Sequence, residues 1–369
     1  MKLQSSWLVW LALTVGGCGE ASEDAAIGRA DSTTNSAIAI ANLDHLIEQA
    51  ADARSGEDLL LLRASLLADY AAFDSVAALS EEAPTSADGL LRRAHGRSTV
   101  HRFAEALADT EAARLEGAKA SNADAMRASI LIAIGRAKEA IPTLESDVVR
   151  RPGLASYSAL AMAYGAVGRL TEADRLYEAA IQSLNTTSPF PYAMLYFARG
   201  LMWSEQAGDR QRGEAMYARA VHHVPEFVVA NIHLAELEVA RSDLAPAIAR
   251  LERVAAASHE PEALARLGPL HIQMGQEARG RQEIAEAQRR YEELLAKHPQ
   301  AFADHAAEFY LGAGANAQRS WALARYNLAL RQTRRAYLLA IKAAHATHRT
   351  IEAHELEAQM HARFAVTAA

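Results

Sequence analysis

Residues 160–180 read LAMAYGAVGRLTEADRLYEAA, and this stretch predicts two helices joined by a tight turn. Small and apolar residues recur every three to four positions on both sides of Gly168, which is the period of a helix with one buried face. Gly168 lies where a left-handed residue would end the first helix. A single helix pair cannot bury its own apolar faces, so further copies of the unit are expected along the chain.

Copies of the turn position recur along the chain with spacings of 34, 33, 40, 34 and 33 residues, at His101, Gly135, Gly168, Gly208, Ser242 and Gly275. Small residues follow each turn at Ala106, Ala140, Ala173, Gly213 and Ala247. A third series follows four residues later at Thr110, Leu144, Tyr177, Tyr217 and Leu251. Small residues let helices approach closely and large ones fill the space between them, so the register predicts stacked helix pairs.

This pattern resembles the tetratricopeptide repeat, a family with a 34-residue helix–turn–helix unit. The resemblance implies an all-α fold, an α-solenoid superhelix over residues 37–365 with about nine helix pairs. A related α-solenoid is the alternative. Units are expected to start near residues 53, 87, 121, 154, 194, 228 and 261, with two weaker units near 302 and 336.

Three irregular features complete the expected fold. A helix over about 37–53, capped by Asn35 and Ser36, should precede the first unit. The 40-residue step is assigned to an extended loop over residues 185–191. The second helix of the unit at 261 should run from Ala278 to Lys297. Because each unit contacts mainly its neighbours, one extended superhelix is expected rather than several globules.

Composition supports helices and limits the function classes. Aromatic residues make up only 6% of the 369 residues, which disfavours a β-sandwich or barrel. The net charge of −7 disfavours a general nucleic-acid-binding protein. A single cysteine excludes intramolecular disulfides and zinc sites built from several thiolates.

That cysteine follows a predicted signal peptide, residues 1–17, with Lys2 before an apolar run over residues 7–15. Val15-Gly16-Gly17-Cys18 resembles the lipobox of bacterial lipoproteins, which implies cleavage before Cys18 and a covalent diacylglycerol there. A soluble secreted protein is the alternative. The resemblance implies an outer-membrane location, on the periplasmic or the cell-surface side. Residues 18–36 would then be the lipidated cysteine and a flexible tether.

The search for catalytic or metal motifs predicts no enzyme. The zinc pattern H-E-x-x-H starts at His354 and Glu355 but has Ala358 in place of the second histidine. No phosphate-binding G-x-x-x-x-G-K-[ST] loop and no G-x-S-x-G nucleophile elbow occurs. No catalytic residue, metal site or cofactor is therefore expected, apart from the lipid on Cys18.

In the tetratricopeptide family the first helix of each unit lines a concave groove. The resemblance carries this role to residues of both polar and apolar type: Asp88, His95, Asn122, Ser129, Ser158, Met162, Met202, Glu205, Gln206, Glu236, Glu262 and Gln273. The family's Lys/Arg/Asn clamp for a terminal carboxylate is missing from these positions. The mixture of Met and Glu suits a partner segment with apolar anchors and some basic residues.

The expected function is a non-enzymatic adaptor for protein–protein interaction, anchored by lipid to the cell envelope and holding a partner in its groove. The alternative is a lipoprotein that binds envelope glycan, peptidoglycan or a small ligand. No nucleic-acid partner is expected, and the membrane should be contacted through the lipid alone.

Overall fold

The computed structural model describes residues 33–50 and 53–364, and within these ranges the regular structure is helical throughout. The predicted signal peptide, Cys18 and most of the tether lie outside the described residues. The helices are α1 Ser36–Gln49, α2 Ala53–Leu67, α3 Tyr70–Glu81, α4 Ala87–Thr99, α5 Phe103–Leu115, α6 Ala120–Ala133, α7 Ala137–Arg150, α8 Leu154–Ala166, α9 Leu170–Gln182, α10 Pro189–Leu201, α11 Arg210–His223, α12 Val228–Ala240, α13 Leu244–Ala257, α14 Pro261–Gln273, α15 Glu277–Lys297, α16 Pro299–Leu311, α17 Ala317–Leu330, α18 Arg334–Ala346 and α19 Thr350–Phe364.

From α2 onward the helices pack as consecutive antiparallel pairs, α2 with α3 through α18 with α19, and each pair packs on the next. The predicted fold class, an all-α solenoid of helix–turn–helix units, is confirmed. Units begin at the residues that open α2, α4, α6, α8, α10, α12, α14, α16 and α18. Helix α1 precedes them, and the side chain of Asn35 accepts a hydrogen bond from the backbone N–H of Ala37.

The turn inside each unit has one residue in the left-handed backbone region. All six predicted turn positions have φ between 60° and 84°: His101, Gly135, Gly168, Gly208, Ser242 and Gly275. Ala68, Ala315 and His348 adopt the same conformation in the remaining three units. A left-handed residue strains any side chain with a Cβ, so the sequence signal was clearest where glycine takes this place.

The core lies between the two helices of each unit and between neighbouring units. The small residue that follows each predicted turn is buried, as is the large residue one helical turn later; Ala173 and Tyr217, for example, are fully buried. At the small position of the fifth unit, a Cβ on Gly213 would lie 2.5 Å from Cβ of Ser204, so glycine is required for this helix packing.

The fifth unit departs from the predicted layout. Helix α10 begins at Pro189, five residues before the expected start, and its last turn continues as a π-helical turn, Met202–Gln206. Pro189 is at the first helical position, where a proline costs no hydrogen bond. The 40-residue step therefore consists of a shorter loop than predicted and a longer first helix. Helix α15 starts at Glu277, one residue before the expected Ala278, and ends at the expected Lys297.

The N-terminal units contact the C-terminal units directly, across about 200 residues of sequence. The Tyr70 hydroxyl donates to Glu260, and Nε2 of His298 lies 2.8 Å from Oδ1 of Asp74. Further along the same seam, the backbone N–H of Gln332 donates to the carbonyl oxygen of Ile134 at 3.1 Å. The superhelix thus closes on itself, and this brings inner side chains of distant units close together.

Candidate functional site

The first helices of the last five units bring a cluster of ionisable side chains to the concave side. Most are contributed as pairs three or four residues apart, which places both on one helix face. We call this the inner cluster; its members are Glu205, His233, Glu236, Glu262, Arg266, Asp304, His305, Glu308, Arg331 and Arg335. They come from the π turn, α12, α14, α16, the residue that follows α17, and α18.

One part of the inner cluster is centred on Arg266 of α14. Arg266 forms ion pairs with Glu236 of α12 and, at 2.5 Å, with Oε1 of Glu262 on its own helix. The other oxygen of Glu262 lies 3.7 Å from Nδ1 of His305 on α16. Nδ1 of His233 lies 3.3 Å from Oε2 of Glu236. These contacts connect three consecutive units.

The other part is centred on Arg335 of α18. Its Nη2 lies 2.5 Å from Oε1 of Glu308, and its Nη1 lies 3.9 Å from Oε2 of Glu205. Glu205 belongs to the fifth unit and Arg335 to the ninth, so this approach spans the concave side. Arg331 pairs with Asp304, whose side chain is 1% exposed.

Burial and charge set the protonation of these groups. Burial raises the pKa of Glu205 and that of Glu308 to about 7, and Arg335 offsets only part of this effect in each case. For His305, burial favours the neutral form, but Asp304 and Glu262 outweigh it and raise the pKa to about 9. Burial also opposes the ionised form of Glu262, yet Arg266 and His305 hold its pKa well below the usual range.

Several buried polar atoms of the inner cluster lack a hydrogen-bond partner among the described residues: Oε1 of Glu205, Nε2 of His233, Oε2 of Glu262, Oδ1 of Asp304, and Nε and Nη1 of Arg335. Oε1 of Gln206 and the hydroxyl of Tyr217, next to the cluster, share this property. Buried polar groups in folded proteins are nearly always satisfied, so such a concentration in one place requires an explanation.

The π turn that carries Glu205 and Gln206 is held by two glycines from neighbouring helices. A Cβ on Gly165 of α8 would lie 2.5 Å from Oε1 of Gln206. Gly213 of α11 leaves room for Ser204 in the same way. π turns are frequent at functional sites because they insert one residue into a helix and redirect its side chains.

The predicted groove residues fall into three groups in the structure. Glu205, Glu236 and Glu262 belong to the inner cluster. Met202 and Ser158 are buried, and the hydroxyl of Ser158 donates to the backbone carbonyl of Leu154. Half-buried residues are His95, Ser129, Met162 and Gln206, and exposed ones are Asp88, Asn122 and Gln273. The structure brings together only the first group, with Gln206 and Met202 beside it.

Sequence reasoning missed the other seven members of the inner cluster: His233, Arg266, Asp304, His305, Glu308, Arg331 and Arg335. Their signal is present, because each interrupts an Ala- and Leu-rich segment with a charged or ionisable residue on the helix face that should be apolar. The segments from α16 onward matched the repeat weakly, so their positions could not be assigned to the groove.

Comparisons with known proteins identify no family. No protein-family model matches the chain, and no curated protein matches its sequence. Among solved structures, the chain is similar to one described as the crystal structure of the APC/C hetero-tetramer Cut9–Hcn1, with a TM-score of 0.46 and 14% identity. That match covers 91% of this chain, which spans 65% of the length of the other.

A second solved structure with a similar fold is a tetratricopeptide repeat protein from Parabacteroides merdae ATCC 43184. The TM-score is 0.39 and the identity 14%, and the match covers 68% of this chain and 91% of the other.

Two features are absent from residues 33–50 and 53–364. No helix in these ranges is both long and apolar enough to cross a bilayer. The same residues contain no group of three or more His, Cys, Asp or Glu side chains arranged to hold a metal ion.

Proposed function

We propose that the protein is a non-enzymatic binding protein that holds a segment of a partner protein on its concave side. The observation that carries this proposal is the inner cluster itself. Five units place ionisable side chains on one inner surface, and several of them remain partly solvent-exposed, from 8% for Glu205 to 19% for Arg266.

The stability of the fold does not by itself explain such a cluster of buried charges. Removing charges from water costs several kcal/mol per ion, at roughly the level that pairing returns, and apolar residues of similar volume often stabilise a fold as well or better. The same units fill the space between their own helices with Ala, Leu and Tyr side chains, such as Ala247, Leu267 and Tyr291, and need no charges there. Recognition of a partner supplies a reason for the charges that packing does not.

The proposal includes lipid anchoring at Cys18 to the bacterial outer membrane. It is supported by the apolar run, the two glycines and the only cysteine of the chain, all within residues 7–18. Metabolic labelling with a fatty-acid analogue should mark the wild-type protein and leave the Cys18→Ser variant unlabelled. Label that persists in the variant would refute lipidation at this residue.

Partner binding on the concave side is tested by site-specific photo-crosslinking in envelope extracts. A photoreactive residue at Gln206, half-buried at the π turn beside the inner cluster, should crosslink one defined protein. Matched probes at Glu111 and Lys138, exposed on second helices, should not. Equal crosslinking from both sets would contradict the assignment, and retention on envelope polysaccharide without a crosslinked protein would favour the glycan-binding alternative.

A further inference from the structure

The π turn carries a carboxylate whose charge is the least compensated in the inner cluster. Arg266 contacts two carboxylates, Arg331 pairs with Asp304, and Arg335 contacts Glu308 at 2.5 Å. Glu205, by contrast, approaches its nearest cation only to 3.9 Å, beyond hydrogen-bond distance. The Glu205 side chain is only 8% exposed, yet its Oε1 has no hydrogen-bond partner within the described part of the chain.

A second buried acceptor without a protein partner lies on the next residue. Oε1 of Gln206 has no hydrogen-bond partner among the described residues. Nearby, the Tyr217 ring stacks on His233 with 4.9 Å between ring centroids, and the charge of Glu205 acts on both residues. A carboxylate oxygen and an amide oxygen are both acceptors, which suits a group with several N–H donors.

The charges facing Glu205 come from every neighbouring element. Arg335 of α18 and His233 of α12 favour its ionised form, whereas Glu236 of α12 and Glu308 of α16 oppose it. Arg335 is already paired with Glu308 and Arg266 with Glu236, so Glu205 has no close ion-pair partner of its own. An added cation would supply one.

We propose that Glu205 and the adjacent Gln206 form a subsite for one donor-bearing cation, the guanidinium or ammonium group of a basic side chain in the partner segment. This subsite rests on the proposed function and specifies the chemistry of the segment that the concave side accepts. Two local features fit it. The glycines at 165 and 213 fix the π turn, and the partial exposure of Glu205 and Arg335 gives access from the concave side.

Proton release is a consequence of this subsite. Burial holds the pKa of Glu205 at about 7, so at pH 7 about half of the molecules carry a protonated Glu205. A bound cation favours the ionised form, so binding releases a proton from that fraction. For a pKa of 7, affinity should rise about tenfold between pH 6 and pH 8.

The test is isothermal titration calorimetry with three probes: methylguanidinium, the capped tripeptide Ala-Arg-Ala, and the same tripeptide with citrulline in place of arginine. Citrulline has the shape of arginine without its charge. We expect the arginine peptide to bind, with the pH dependence given above, and the citrulline peptide to bind at least tenfold more weakly. Binding of methylguanidinium as tight as that of the arginine peptide would identify a free small cation as the occupant and would overturn the assignment to a partner side chain.

Two variants locate the subsite. Glu205→Gln should weaken binding of the arginine peptide at least tenfold and abolish its pH dependence, while the melting temperature stays unchanged or rises, because the ionised form is penalised by burial. The matched control is Glu277→Gln, an exposed glutamate of α15, which should leave binding unchanged. Absence of arginine-peptide binding to the wild type, or equal binding by Glu205→Gln, would overturn the subsite. Concave-side crosslinking of a partner could still succeed in that case. The experiments therefore distinguish failure of the cation subsite from failure of partner binding.

Discussion

Two Glu–Arg pairs in the same helical unit have the same sequence spacing but differ in burial, and burial decides what each pair contributes. Glu262 and Arg266 on α14, and Glu277 and Arg281 on α15, have the same order and the same four-residue spacing, and both pairs meet at 2.5 Å. The first pair has exposures of 6% and 19%, and the second 63% and 74%. In isolation the two patterns are indistinguishable, yet only the first belongs to a network that connects several units.

The largest expected effect comes from breaking the buried pair. Arg266→Ala removes the cation between Glu236 and Glu262 and leaves two carboxylates poorly compensated in a buried setting. We expect a loss of about 3–5 kcal/mol in the free energy of unfolding, measured by urea denaturation. Adding Glu262→Gln to this variant should recover part of the loss, because one uncompensated charge disappears. No recovery would show that the loss comes from packing.

The next effect is a decrease in stability with rising pH. Folding raises the pKa of Glu205, Glu260 and Glu308 to about 7, so between their unfolded and folded pKa values the folded state binds more protons. His305, with a folded pKa of about 9, contributes stability that is fully present below its unfolded pKa and is lost as the pH rises through 9. Both effects act in one direction above pH 6.5.

The melting temperature should therefore be lower at pH 9 than at pH 6.5. The expected loss is at least about 1.4 kcal/mol, the value of one pKa unit in one group. His101 does not oppose this trend, because burial, helped by Arg331, lowers its pKa to about 3 and its stability contribution changes only below pH 6.5. A melting temperature that is constant from pH 6.5 to 9 would contradict the protonation described for the inner cluster.

A smaller change in stability is expected at the turns, where it depends on whether the residue adopts left-handed backbone. Gly168 has a φ of 84° and a Cβ there would touch nothing within 4 Å, so Gly168→Ala isolates the cost of left-handed backbone. We expect a loss of about 1 kcal/mol. Ser242, exposed with a φ of 65°, should show the opposite sign, and Ser242→Gly should gain about 0.5–1 kcal/mol. Thermal denaturation of both variants checks the signs, and equal signs would refute the explanation.

The smallest effect is expected for the exposed pair. Arg281→Ala should change the free energy of unfolding by less than about 0.5 kcal/mol, because solvent screens the pair and the side chains gain freedom when it is lost. Urea denaturation beside Arg266→Ala makes the comparison direct. If the two variants lose similar stability, burial does not distinguish these pairs.

The features that could be predicted from the sequence are those that depend on local rules. The turn series from His101 to Gly275 and the small residues after each turn depend on local rules, since a left-handed residue and a close helix contact each constrain one position. The sequence did not predict the turns at Ala68, Ala315 and His348, since none of them has a glycine and the units of Ala315 and His348 match the repeat weakly. The start of α10 was placed five residues late because the π turn changes the register of that unit.

The inner cluster could be predicted only in part. Position within the repeat identified Glu205, Glu236 and Glu262, since these lie on first helices of well-matched units. It could not show that Glu205 approaches Arg335, because that contact joins units 130 residues apart and depends on the curvature of the whole superhelix. Nor could it show that Arg266 lies between two of the predicted carboxylates, since its burial depends on α12 and α16 as well as on its own helix.

The most direct test of the central claim is quantitative recovery of the crosslinked partner by Glu205→Gln and by its matched control, Glu277→Gln. Both substitutions remove one negative charge without changing side-chain shape, one on the concave side and one on an exposed second helix. We predict that Glu205→Gln lowers recovery at least several-fold at pH 8, where Glu205 is ionised, and that Glu277→Gln leaves it at the wild-type level. Equal recovery by both variants, with both folded, would contradict partner recognition at the inner cluster.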